Sequence, residues 1–92
     1  MAEVRAGVDA LDAALLDLLA RRFAYMRAAA RIKGERAAVR DDERKAAVIA
    51  AARQRALQLG VPVGLVGDVW EQLVEASIAY ELEAWDGLRR GS

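Results

Sequence analysis

Apolar residues recur at steps of three and four through the first third of the chain, at Val4, Val8, Leu11, Leu15 and Leu18 and again at Met26, Ala29 and Ile32. That spacing places them on one stripe of an α-helix. Leu16 and Leu19 widen the stripe, as burial on more than one side requires. Roughly 30 residues rising about 1.5 Å each make a rod about 45 Å long. A compact domain of this length has a radius of gyration of roughly 12 Å, which corresponds to a sphere about 32 Å across. The rod overhangs its own domain, and its apolar stripe needs cover from outside the chain. A second copy in a closed two-fold dimer is the commonest cover. A homodimer is expected.

The remainder reads as two further helices. Gly34 can end the first, and residues 35–40 form a connection. Asp41 or Asp42 can cap the next helix, with Glu43 adding favourable charge in its first turn. That helix runs to Leu59, where Gly60 can take the left-handed conformation that closes a helix and Pro62 and Gly64 extend the break. A third periodic run passes through Leu65, Val69, Leu73 and Tyr80 and ends near Gly87. Alanine, 21 of 92 residues, supports helix throughout. The expectation is an all-α single domain over residues 1–92, with helices at about 4–36, 42–59 and 65–87. Gly91 and Ser92 carry no argument.

Composition removes several chemistries. The chain has no Cys and no His, which excludes disulfide scaffolds, thiol nucleophiles, zinc fingers and Ser-His-Asp machinery. Fourteen basic residues balance fourteen acidic ones, so neither a nucleic-acid arm nor a polybasic membrane patch is expected. No apolar run approaches the roughly 20 residues of a membrane span, and the N-terminus lacks the layout of a signal peptide. The default expectation is a cytoplasmic protein that uses no metal and no cofactor.

The informative feature is a pair of cations on the apolar stripe. Leu11, Leu15, Leu18 and Arg22 share one face, and Lys33, eleven residues on, returns within about 20° of the same direction. A buried cation without an anion costs several kcal/mol. An internal salt bridge, or long stems reaching the surface, is the plain explanation for either cation alone. Arg22 and Lys33 are about 16 Å apart along the axis, close enough for two long side chains to converge on a small ligand. Arg5 is about 25 Å from Arg22 and cannot join them within one chain, although in an antiparallel dimer the partner subunit's Arg5 can. Arg44 offers a fourth cation. Cations gathered without matching acids describe a pocket for a small polyanion, a dicarboxylate or a phosphate.

With these residues in view, the sequence resembles the small all-helical chorismate mutases and the related isochorismate-pyruvate lyases. The resemblance is carried by Arg5, Ala10-Leu11-Asp12, Leu15-Leu16, Leu18-Leu19-Ala20-Arg21-Arg22, Lys33, Val39-Arg40-Asp41, Glu43-Arg44 and Ser77-Ile78-Ala79-Tyr80-Glu81, and it covers residues 4–86. It implies an intertwined helical homodimer with two sites, each borrowing Arg5 from the other chain. It also implies the substrate chorismate, a ring dianion whose enolpyruvyl ether rearranges to prephenate without covalent enzyme chemistry. By the family pattern Arg5 and Arg22 hold carboxylates and Arg44 supports them. Lys33 donates to a carboxylate and to the ether oxygen, Asp41 lies by the ring hydroxyl, and Ser77 lies near the ring carboxylate.

Two positions depart from the commonest mutase pattern. Lys45 stands where Glu often contacts the ring hydroxyl. Glu81 stands where the bacterial mutases carry Gln, whose amide donates to the ether oxygen at any ordinary pH, whereas a carboxyl donates only when protonated. Activity falling with rising pH is therefore one expectation. The other is that Glu81 pairs with Lys33 or Lys45 and organises the site. The stretch Tyr25…Ala28-Ala29…Lys33 and the short connection to Val39 look closer to the lyases, which remove pyruvate from isochorismate to give salicylate. The lyase reaction is the alternative activity. A non-enzymatic dimerisation module is the alternative from another class, and it leaves Arg22 and Lys33 on the leucine face unexplained.

Smaller signals read plainly. Trp70 and Trp85 are packing anchors, and Arg53, Arg55, Arg89 and Arg90 are solvated helix-surface charges. Tyr80 either closes the pocket or packs on an ordinary amphipathic face, and packing is the expectation. Arg36 and Arg40 either guide an anionic ligand or sit at the surface.

Overall fold

The computed structural model describes residues 1–90; Gly91 and Ser92 lie outside them. Three α-helices follow one another: α1 (Ala2–Ile32), α2 (Asp42–Leu59) and α3 (Val63–Arg90), with a 3-10 turn at Arg36–Ala38 between the first two. No strand is present among the described residues, so the protein is all-α. The radius of gyration is 16.1 Å and the extents are 55 × 27 × 15 Å. A compact chain of this length measures roughly 12 Å, so the overhanging rod expected from the repeat is present. No helix among the described residues is long and apolar enough to cross a membrane.

Helix ends follow local chemistry. Asp41 caps α2, its side chain accepting from the backbone N–H of Arg44 at 3.0 Å. Gly60 closes the same helix in the left-handed conformation, at φ 70° and ψ 23°. α1 stops at Ile32 rather than near residue 36, because Lys33 turns extended at φ −68° and ψ 126°. Side chains of α3 replace the missing helical donors there. Arg89 donates to the carbonyls of Ala30 (2.8 Å) and Lys33 (2.7 Å), and the Trp85 indole N–H donates to Lys33 at 3.0 Å. Arg89 also lies 4.2 Å over the Trp85 ring. The reading of Arg89 as a solvated surface charge is thereby corrected: it ends α1. α3 begins at Val63 and runs past Gly87 to Arg90, longer than expected at both ends. Docking of Trp85 and Arg89 on the end of α1 offsets the cost of Gly87, about 1 kcal/mol relative to Ala.

α3 is the central element, packing against both α1 and α2, while the backbones of α1 and α2 stay apart among the described residues. The small core joins Val39 of the connection to Val74 and Ile78 of α3, with Val48, Ile49, Trp70, Leu82 and Trp85 packed around it. Burying Val39 ties residues 33–41 down onto α3. Phe23 and Tyr80 meet edge to face at 4.8 Å, and Arg27 donates to the Tyr80 hydroxyl, so Tyr80 serves packing between α1 and α3.

Candidate active site

Where α1, the connection, α2 and α3 converge there is a cavity of about 280 Å³. Its polar lining is Arg22 and Lys33 from α1 and its end, Asp41, Arg44 and Lys45 from the start of α2, and Ser77 and Glu81 from α3. Seven of the eight residues expected at the site are thus brought together. Arg5 is the eighth; it sits on the exposed first turns of α1 and does not line this cavity. Met26, Ala29, Val39, Val48, Val74 and Ile78 supply an apolar remainder. Positively charged arms over an apolar floor suit a small, partly apolar anion.

Each polar group has a definite setting. Ser77 is buried at 3% exposure; its hydroxyl donates to the carbonyl of Leu73 at 2.6 Å and accepts from Arg22. One N–H of Arg22 is spent in this way, and the rest of its fork remains available. Glu81 is buried at 4% exposure and accepts from the Lys33 ammonium at 2.7 Å. Of the two expectations for Glu81, pairing is what the geometry shows, and the partner is Lys33, not Lys45. Two of the three Lys33 donors stay free for a ligand. One Asp41 oxygen is committed to the cap of α2.

The expectation of three or four cations lacking acids is corrected. Lys33 has Glu81, and Lys45 has Glu71 at 2.6 Å and Glu75 at 2.8 Å. Arg22 and Arg44 are the cavity guanidiniums that form no ion pair with a carboxylate among the described residues. Burial lowers the pKa of Arg22, and the neighbouring Arg44 charge lowers it further. Two like charges facing one small space favour an anion between them.

Sequence reading missed the outer layer. Arg40 forms a two-pronged pair with Glu75 at 2.8 and 3.1 Å, and Arg36 forms another with Asp86 at 2.8 and 3.1 Å. Both fasten the connection to α3, so neither arginine is idle at the surface. Their partners lie 35 and 50 residues away, and no local spacing rule reaches that far. Arg53 lies across Gly67, where a side chain on Gly67 would meet its guanidinium at 2.5 Å.

The family model for chorismate mutase type II matches residues 4–82. Isochorismate pyruvate lyase from Pseudomonas aeruginosa is 29% identical to the chain over 85 residues, which make up 92% of this chain and 84% of that protein. The matched span reaches all three helices and includes every polar residue of the cavity, and the chain belongs to the type II chorismate mutase family.

Proposed function

We propose that the protein rearranges chorismate to prephenate, in the cytoplasm and within aromatic amino acid biosynthesis, as a homodimer in which the partner subunit's Arg5 completes each cavity. The observation that carries this reading is the Arg22–Arg44 pair, two guanidiniums facing one small cavity without a carboxylate partner. A ring dicarboxylate answers both charges, and guanidinium forks bind carboxylates in two-pronged fashion. Lys33 supplies donors to the ether oxygen, where negative charge grows as the C–O bond breaks and the new C–C bond forms. Asp41 takes the ring hydroxyl, Ser77 lies by the ring carboxylate, and Lys45 stands at the rim. Glu81 holds Lys33 in place. The reaction is unimolecular and needs no nucleophile. Fixing the flexible enolpyruvyl arm in a reactive pose removes entropy from the barrier, and preset donors stabilise the developing charge.

The homodimer rests on α1. Its large apolar side chains from Val4 to Leu18 are between 50% and 66% exposed in the single chain. A continuous apolar face of that kind marks a protein interface.

A second reading has its own support: the relative from Pseudomonas aeruginosa is named as an isochorismate pyruvate lyase. Incubation with each substrate separates the two. Prephenate formed from chorismate is the expected product. Salicylate and pyruvate released from isochorismate at a higher kcat/KM would make the lyase the principal activity. Arg22→Ala should abolish turnover while helicity and mass are retained, and loss of folding instead would make Arg22 a structural residue.

A further inference from the structure

Lys45 is the lining cation whose place in the chemistry is least obvious. Its ammonium is bonded to Glu71 (2.6 Å) and Glu75 (2.8 Å), and neither carboxylate lines the cavity. Lys45 also lines a second, more open hollow of about 510 Å³ shared with Glu71 and Arg53. Its side chain therefore forms the wall between the two spaces, with the charge drawn to the acids. Glu75 holds more than Lys45: both its oxygens accept from Arg40. One carboxylate of α3 thus ties down the connection through Arg40 and α2 through Lys45. The two cations hold the Glu75 pKa down at about 2, so it is ionised wherever an enzyme works.

A lysine ammonium is a mobile point charge on a flexible stem. Released from its acids, it can swing into the cavity and join Arg22 and Arg44 as a third cation without an acid. A dianion would then have a competing way to sit. Extra attraction realised in the ground state tightens binding without speeding the chemical step.

We propose that Glu75 is a positioning residue of this site, which fastens Arg40 and Lys45 to α3 and keeps the Lys45 ammonium out of the ligand's space, so that Arg22, Arg44 and Lys33, with the partner subunit's Arg5, set the pose of the anion. This rests on the reading of the cavity as a chorismate site. Glu71 assists by holding the same ammonium from the next turn of α3.

The test uses the full chain with chorismate. Glu75→Gln should lower kcat about tenfold while KM stays level or falls, the signature of a ligand held well but wrongly. Adding Lys45→Gln should recover at least threefold of the lost kcat, because the stray ammonium is gone. Glu71→Gln should act in the same direction with a smaller effect and show the same rescue, which decides the matter if Glu75→Gln folds poorly. A merely structural role predicts that the second substitution adds to the damage; that result, or a Glu75→Gln variant indistinguishable from wild type, overturns the proposal. If the wild-type chain does not convert chorismate, the proposed activity fails separately. Calorimetric titration with chorismate then reads the positioning role alone: Glu75→Gln binds at least threefold tighter and the double variant does not. Equal affinities across the three proteins overturn it.

Discussion

The two halves of α1 carry the same apolar repeat and meet different surroundings. The C-terminal half lies on α3, where Ala30 is fully buried, Phe23 meets Tyr80, and Arg22 and Lys33 find Ser77 and Glu81. The N-terminal half projects past the domain with Val4, Val8, Leu11, Leu15 and Leu18 at least half exposed. Arg5 lies on this open half, outside the cavity that Arg22 and Lys33 enter. A helical repeat states that a face is to be covered, and it is silent on which chain covers it. The surplus of length over domain size carries that second piece of information: the open half has no cover within the described residues, and in the proposed homodimer another copy supplies it.

The largest expected effect comes from separating the halves genetically. Arg5→Ala removes a cation from the open half and Arg22→Ala removes one from the closed half. Each should lower kcat/KM by roughly 100-fold or more, the scale of losing a preset donor to a developing charge. If the partner subunit's Arg5 serves each cavity, a hybrid of the two variants contains one site with both arginines and one with neither. Random mixing makes half of the dimers hybrid, so about a quarter of wild-type activity returns. Mixed samples that stay as inactive as their parents would place Arg5 and Arg22 in separate roles.

A smaller effect sharpens the same contrast through stability. Leu15→Glu puts a charge on the open stripe and should halve the mass seen by light scattering, with activity lost alongside. Ile78→Ala opens space in the core beneath the closed half, and the mass should remain that of the wild type. Its cost is about 2–4 kcal/mol, read as a lowered denaturant midpoint. A Leu15→Glu chain that keeps its mass and activity would mean that the open stripe is not an interface.

How much of this was legible follows from the reach of the residues involved. Helix existence and the Gly60 close are local events, fixed by residues within one turn of each other, and the sequence states them directly; it narrowed the cap of α2 to Asp41 or Asp42, and Asp41 takes it. Part of the cavity set was also readable by position, because Arg22 and Lys33 break an apolar stripe and such a break needs a reason; Asp41, Lys45, Ser77 and Glu81 came only from the family resemblance. The end of α1 was not readable: Trp85 and Arg89, more than 50 residues downstream, decide it by taking its last carbonyls. The pairing of Lys45 with Glu71 and Glu75 was hidden in the same way. On paper it is one more cation near the site, and only the packing of α2 against α3 turns it toward acids.

The smallest effect concerns the ion pairs that fasten the connection to α3, on which the closed half lies. Glu75 is depressed to about 2, chiefly by its hydrogen bonds to Arg40 and then Lys45, and Asp86 is lowered by its hydrogen bonds to Arg36. A carboxylate whose folded pKa lies below its unfolded one stabilises the fold above the unfolded value, about 4.3 for Glu. That contribution is lost as pH falls from about 4 toward 2, since the folded state must then take up protons that the unfolded chain already carries. Melting temperature should therefore drop more steeply between pH 5 and pH 2 in the wild type than in Glu75→Gln, with the two curves converging at the acid end. Both groups are half-buried with their carboxylates reaching solvent, so high salt should shrink the difference. No carboxylate of residues 2–21 forms an ion pair among the described residues, and Asp12→Asn on the open half should keep the wild-type slope. Parallel curves for wild type and Glu75→Gln would show that the clamp does not hold in solution, and the connection would then owe its order to buried Val39 and the Arg36–Asp86 pair.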